Sequence, residues 1–111
     1  GMRGALLPIV VSHGEGRATM TSLAMADLER NEQIAMRFTD HYGEPAKSYP
    51  CNPNGSPGGL TAVTSEDGRV LAMMPHPERV FRAVQYSWRP DSWKEDAPWM
   101  RLFRNARAWV G

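Results

Sequence analysis

The chain has 111 residues, enough for one small domain or for part of a larger one. With 41% hydrophobic and 23% charged residues, its composition is that of a folded globular chain and argues against extensive disorder. The net charge of +1 gives no electrostatic support for binding nucleic acid or an anionic membrane. No apolar run approaches the roughly 20 residues that a membrane span needs.

The single cysteine, Cys51, cannot form an internal disulfide, which fits a reducing, cytoplasmic setting, and no signal peptide is visible. Gly1 precedes Met2 and is interpreted as the remnant of a cleaved expression tag. The expected organisation is therefore a tag scar at residue 1 followed by a single unit, residues 2–111, that begins at a presumed start codon.

The N-terminal part of the chain predicts one strand and one helix. Residues 6–11 (LLPIVV) form an apolar, β-branched run of the kind found in buried strands. Thr21 or Ser22 is suited to cap a short helix that ends near Arg30 and turns its apolar side chains inward.

The middle of the chain predicts three strands and one long loop. Residues 34–38 carry large apolar side chains at alternate positions, which indicates a half-buried strand. Residues 40–59 are rich in Gly, Pro and Asn, and their Asn-Pro and Asn-Gly steps predict tight turns instead of a flexible linker. Residues 60–65 and 69–74 predict a hairpin with an Asp-Gly turn at its tip.

The C-terminal part predicts a short helix, an aromatic segment and a final helix. The short helix follows Pro77 or Glu78 and is expected to cover Val80, Phe81 and Val84. Residues 86–98 carry two tryptophans and two prolines and are expected to wrap the surface with aromatic anchors. Asp96 is suited to cap the final helix, whose apolar stripe predicts packing against a sheet. The stripe consists of Trp99, Leu102, Phe103, Ala106 and Trp109 or Val110.

One histidine in the chain has the local setting of a catalytic base. The apolar run of residues 70–74 predicts a strand that stops where Pro75 removes an amide donor. Pro77 biases His76 toward an extended backbone, in which residues i and i+2 point the same way, so the Glu78 carboxylate is expected beside the imidazole. A carboxylate there fixes the tautomer and stabilises the imidazolium. These two residues predict the base and the orienting acid of a nucleophilic triad whose nucleophile is missing.

The other candidate groups have weaker settings. Cys51 lies between Pro50 and Pro53 with no helix to follow, so it is expected to be an incidental loop thiol and not an activated nucleophile. His13 and Glu15 repeat the His-x-Glu spacing, and with His41 they offer metal ligands in principle. No cysteine pair or carboxylate cluster supports a metal, so no metal site and no cofactor site are predicted.

Four blocks of the sequence carry a family resemblance. They are residues 75–79 (PHPER), 12–17 (SHGEGR), 52–59 (NPNGSPGG) and 96–107 (DAPWMRLFRNAR). The first resembles the His-Pro-Glu signature of class I glutamine amidotransferases. All four, in their order along the chain, resemble the C-terminal end of the long-form phosphoribosylformylglycinamidine synthases, single-chain enzymes of purine biosynthesis.

The resemblance implies a fold and a chemistry. The fold is α/β, the C-terminal portion of a flavodoxin-like class I glutamine amidotransferase domain, with a mixed sheet and flanking helices. Such a domain releases ammonia from glutamine through a thioester on a cysteine that lies in an earlier part of the domain. His76 and Glu78 match the catalytic His and Glu. A separate ligase part uses ATP and magnesium to join the ammonia to formylglycinamide ribonucleotide, so ATP and magnesium are expected only in the parent enzyme.

Three hypotheses about function remain open at this point. The chain is an inert piece of the amidotransferase, or a free-standing binding or complementing module with the same fold, or an independent hydrolase using His13, His76 and Cys51. The expected partners are glutamine for the complete domain, the remainder of the synthase, and a second copy of the chain. The second copy is expected because a partial fold leaves apolar surface and sheet edge uncovered. The roles of His13, Glu15 and residues 52–59 stay open.

Overall fold

The computed structural model describes residues 1–12 and 14–111, which divide into two compact units. The first unit combines residues 1–12 with residues 75–111, and the second spans residues 13–74. The described elements include two α-helices, three β-strands and three short 3-10 turns, which confirms the predicted α/β class. Neither helix in this part of the chain is long and apolar enough to cross a membrane.

The second unit contains one helix and a three-stranded sheet. Helix α1 (Ser22–Arg30) begins after Thr21, whose hydroxyl accepts a hydrogen bond from the Ala24 amide at 3.2 Å, so the predicted cap is confirmed. Strands β1 (Ile34–Arg37), β2 (Leu60–Thr64) and β3 (Leu71–Met73) lie in the order β1-β2-β3. Both pairings are antiparallel, so the described part of the predicted mixed sheet is antiparallel.

The β2–β3 hairpin forms as its Asp-Gly step predicts. Asp67 accepts hydrogen bonds from the Ser65 hydroxyl at 2.6 Å and from the Arg69 amide at 3.2 Å. Gly68 has a φ of +69°, a conformation that glycine adopts at little cost. On β2, Leu60 and Ala62 are buried, and they place the core of this unit on one face of the strand.

The loop before β2 is ordered by one buried amide. The Asn52 side chain, 2% exposed, donates to the Ala46 carbonyl at 3.0 Å and to the Ser56 carbonyl at 2.8 Å. Its oxygen accepts from the Gly55 amide at 3.0 Å. Gly59 has a φ of +69°, and a Cβ there would lie 2.5 Å from a backbone carbonyl oxygen. The loop is therefore a set of tight turns, as predicted.

The first unit departs from the prediction at its start. Residues 6–11 form no strand among the described residues, although their composition predicts one, and Leu6 is 65% exposed. Pro8 has no amide donor and interrupts any ladder. Within residues 1–12 and 14–111, the run makes one main-chain hydrogen bond to a distant residue, in which the Val10 carbonyl accepts from the His76 amide at 2.9 Å. A single such bond does not make a ladder, so the strand prediction is wrong for this structure.

Two 3-10 turns replace the predicted short helix. They span Pro77–Arg79 and Ala83–Gln85. Val80 is buried between them, as expected, whereas Val84 is 76% exposed, so the prediction that it is covered is wrong. The interruption follows from the backbone, because Val80, with a φ of −142°, and Arg82, with a ψ of 142°, lie outside the helical region.

The final helix, α2 (Met100–Val110), forms where predicted but is capped and packed differently. Asp96 does not cap it, and its carboxylate instead accepts from Arg82 at 3.0 Å and from Arg104. The apolar stripe is buried at its start, with Trp99 5% exposed, and open at its end, with Trp109 69% exposed. Packing along the whole stripe was a wrong prediction.

The aromatic segment before α2 has one anchor and not two. Trp93 packs edge-to-face on Tyr86, with ring centroids 5.1 Å apart. Trp88 is 77% exposed and anchors nothing within the described structure. Two of the four tryptophans thus contribute little to packing, contrary to the sequence prediction.

We expect Asn52→Ala to lower the free energy of unfolding by about 2 kcal/mol, since the Ala46 carbonyl and the Gly55 amide lose their Asn52 partner, whereas the Ser56 carbonyl keeps the Gly59 amide. Asn105→Ala is the matched control, because Asn105 is exposed on α2 and its change should stay within about 0.5 kcal/mol. Urea unfolding measures both, and equal effects of the two substitutions would contradict the role given to Asn52.

Candidate active site

The predicted His-Glu pair is in contact. Nδ1 of His76 lies 2.6 Å from Oε1 of Glu78. The backbone that brings them together differs from the prediction, since Pro77–Arg79 is a 3-10 turn and not an extended segment. His76 itself lies just before the turn, with a φ of −109° and a ψ of 85°, outside the helical region as a following proline favours.

The backbone around His76 is held on both sides. Pro75 and Pro77 are buried, and each proline fixes its own φ. The His76 amide donates to the Val10 carbonyl at 2.9 Å, and the His76 carbonyl accepts from the Arg79 amide at 3.2 Å. Both main-chain polar groups of His76 therefore have hydrogen-bond partners, and these bonds fix the position of the His76 backbone and Cα.

The contact decides which ring nitrogen is free for chemistry. An ionised carboxylate only accepts hydrogen bonds, so Nδ1 of His76 carries the proton that Glu78 accepts. In the neutral ring, Nε2 is then unprotonated and able to take a proton from another group. The His76 side chain is 27% exposed, so the ring is accessible. This is the arrangement of a general base with an orienting carboxylate.

The electrostatics favour the ionised carboxylate. The hydrogen bond from His76 is the largest cause that lowers the pKa of Glu78 below its ordinary value, and the charges of His76 and Arg79 act in the same direction. Because the folded-state pKa is lowered, the pair stabilises the fold at pH values above the ordinary carboxyl range. That contribution is lost as the pH falls through the lowered pKa.

The other described candidate residues belong to the second unit. Cys51 is half-buried in a turn of the second unit, not at the start of a helix, whereas His76 belongs to the first unit. Glu15 and His41 are exposed. His13 lies outside the described residues, so the hypotheses that use it, as metal ligand or as part of a hydrolase, are not tested by the structure. The described residues contain no group of three or more His, Cys, Asp and Glu side chains that could hold a metal ion.

One group that supports the site is not predictable from the sequence. The Val10 carbonyl anchors the His76 amide, and a main-chain acceptor has no residue-type signature. The only signal in the sequence is that residues 6–11 need a partner, and their composition predicts that partner in a sheet.

Comparison with known protein families agrees with this geometry. Residues 1–110 match the family of CobB/CobQ-like glutamine amidotransferase domains. The chain belongs to this family. Its members are glutamine-hydrolysing, amide-transferring enzymes, so the predicted glutamine amidotransferase domain is confirmed.

We expect His76→Ala to raise the pKa of Glu78 toward the ordinary carboxyl value, because the hydrogen bond that lowers it is lost. Titration of the Glu78 carboxyl carbon by ¹³C NMR measures the change. His41→Ala is the control, since His41 is exposed and is not among the groups that shift the pKa of Glu78, so the titration midpoint of Glu78 should stay unchanged. An unchanged midpoint in His76→Ala would mean that the two side chains do not interact in solution.

Proposed function

We propose that this chain is the C-terminal part of the glutaminase domain of a long-form phosphoribosylformylglycinamidine synthase, with His76 and Glu78 as two members of its Cys-His-Glu triad. The observation that carries the proposal is the 2.6 Å contact between Nδ1 of His76 and Glu78. Family membership over residues 1–110 supports the glutaminase chemistry. The four sequence blocks that resemble this synthase, in the same order, support the particular enzyme.

The geometry of His76 suits two proton transfers in this chemistry. Nε2 takes the proton of a nucleophilic cysteine supplied by an earlier part of the domain, and the thiolate attacks the carboxamide carbon of glutamine. The imidazolium then gives its proton to the leaving ammonia as the thioester forms. Water hydrolyses the thioester, which releases glutamate and restores the thiol. Glu78 holds the ring by accepting from Nδ1 throughout.

The proposal extends to the parent enzyme. There, a ligase part that binds ATP and magnesium transfers the ammonia to formylglycinamide ribonucleotide, in the cytoplasm, as a step of purine biosynthesis. The partners of this chain are then glutamine and the remainder of the synthase. We assign no cofactor to the chain itself.

We expect the chain alone to release no glutamate from glutamine, because it does not supply the nucleophilic cysteine. In the complete synthase, His76→Ala should lower glutaminase kcat by roughly four to six orders of magnitude, as loss of a triad member does. Cys51→Ser is the control and should retain activity. A coupled glutamate dehydrogenase assay measures all three proteins.

The same assay separates the proposal from its alternatives. Glutamate release by the chain alone, abolished by Cys51→Ser, would favour the independent hydrolase. Activity of the complete synthase that survives His76→Ala would remove His76 from the triad.

We also expect the isolated chain to form a homodimer or a larger assembly. Strands β1 and β3 each have one neighbour in the described sheet, which leaves unpaired edges available to a second copy. Light scattering across a dilution series measures the association. Leu71→Lys, on the β3 edge, should weaken it, whereas Val84→Lys, exposed in the first unit, should not. A monomer at micromolar concentration would contradict this expectation and favour the free-standing module.

A further inference from the structure

One main-chain carbonyl in the first unit accepts two side-chain hydrogen bonds. The indole Nε1 of Trp99 donates to the Pro8 carbonyl at 2.7 Å, and the hydroxyl of Tyr86 donates to the same oxygen at 3.2 Å. Trp99 is 5% exposed, so its indole N–H would have no ready access to water if this acceptor moved away. Burial raises the pKa of Tyr86, so the phenol stays protonated and able to donate further into the alkaline range.

The segment held in this way also holds the candidate base. Two residues after Pro8, the Val10 carbonyl accepts from the His76 amide at 2.9 Å. The consecutive contacts thus run from the Trp99 indole to Pro8, along a short stretch of backbone to Val10, and from Val10 to the backbone of His76. No part of Trp99 or Tyr86 has to touch the imidazole for this connection to exist.

A second set of main-chain hydrogen bonds joins the segment after His76 to the segment before Trp99. The Ala83 amide donates to the Glu95 carbonyl at 2.9 Å, and the Ala97 amide donates to the Phe81 carbonyl at 2.9 Å. This isolated bridge joins the segment that follows the 3-10 turn at His76 to the segment that precedes Trp99. The backbone of His76 is consequently fixed from upstream through Val10 and from downstream through the bridge.

We propose that Trp99 and Tyr86 are positioning residues for His76, acting through their shared hydrogen bonds to the Pro8 carbonyl. The inference rests on the proposed function for its catalytic meaning, but its physical content is the placement of the imidazole against Glu78. If the two donors are lost, Pro8 and Val10 are less constrained, and the His76 backbone loses its upstream support. A displacement on the order of 1 Å at a catalytic group costs about a hundredfold in rate.

The test compares substitutions that remove the two donors and keep an aromatic ring at each position. Trp99→Phe keeps a ring without the indole N–H, and Tyr86→Phe removes only the hydroxyl, so the double variant leaves the Pro8 carbonyl without either partner. Trp109→Phe is the matched control, because Trp109 lies on helix α2, which directly follows Trp99, but is 69% exposed. Circular dichroism and urea unfolding establish that each variant is folded.

The first readout is the ¹H NMR signal of the Nδ1 proton that His76 donates to Glu78. In the double variant this signal should move upfield or broaden through exchange with water, while in Trp109→Phe it should match the unchanged chain. The second readout is glutaminase kinetics of the complete synthase. There, kcat should fall about 10- to 100-fold with KM within about twofold, because the base and not the binding of glutamine is displaced.

The outcomes separate the two proposals. A folded double variant with an unchanged Nδ1 signal and an unchanged kcat would overturn the positioning role. A changed signal in an enzyme whose activity does not depend on His76 would support the positioning role and overturn the proposed function. If the double variant does not fold, Tyr86→Phe alone decides, since it deletes one hydroxyl, and an unchanged signal and kcat in that variant count against the proposal.

Discussion

Two main-chain carbonyls, those of Pro8 and Val10, hold the first unit together. This unit is built from residues 1–12 and residues 75–111, which a whole second unit separates along the chain. Hydrogen bonds between the two segments therefore close a long loop, and each must offset part of the entropy that this closure costs. The Pro8 oxygen does so with two donors and the Val10 oxygen with one, and the donor at Val10 belongs to His76. The candidate base is thus part of the same contact set that forms the unit.

The site itself depends on a much shorter-range constraint. His76 and Glu78 are two residues apart, and the 3-10 turn at Pro77–Arg79 brings the imidazole and the carboxylate within 2.6 Å. A short charge-assisted hydrogen bond of this kind is stronger than a neutral one. Because the two residues are close in sequence, the turn brings their side chains near each other, whereas the Val10 carbonyl fixes the His76 backbone from which the imidazole meets Glu78. Proximity is therefore set by local residues, and precise placement by a distant acceptor.

This division explains which features the sequence predicts. The Thr21 cap, the Asp-Gly hairpin and the His-Glu contact each depend on residues within one turn of each other, and all three form. The predicted geometry of the pair was still wrong in detail, because a tight turn and an extended segment both bring such neighbours together.

The predictions that are wrong concern residues whose conformation or hydrogen bonding depends on partners far away in the sequence. Residues 6–11 have strand composition, but a strand needs a ladder, and the Pro8 and Val10 carbonyls bond to Trp99, Tyr86 and His76 instead. Asp96 has the residue type of a helix cap, yet its two carboxylate oxygens bind Arg82 and Arg104 instead of the helix amides. The buried Asn52 amide was not singled out either, because its acceptors at Ala46 and Ser56 are backbone groups. Residue type alone does not show which of several available partners a polar group will bind.

The use of backbone oxygens as acceptors has a consequence for how such a domain diverges. A carbonyl is supplied by every amino acid, so the exposed side chain at position 8 is not what Tyr86 and Trp99 bind, and substitutions there leave the acceptor in place. The donors have no such freedom, because a phenol and an indole are supplied by few residue types. This interaction therefore constrains the residue type on one side of each hydrogen bond, at Tyr86 and Trp99, and not at position 8.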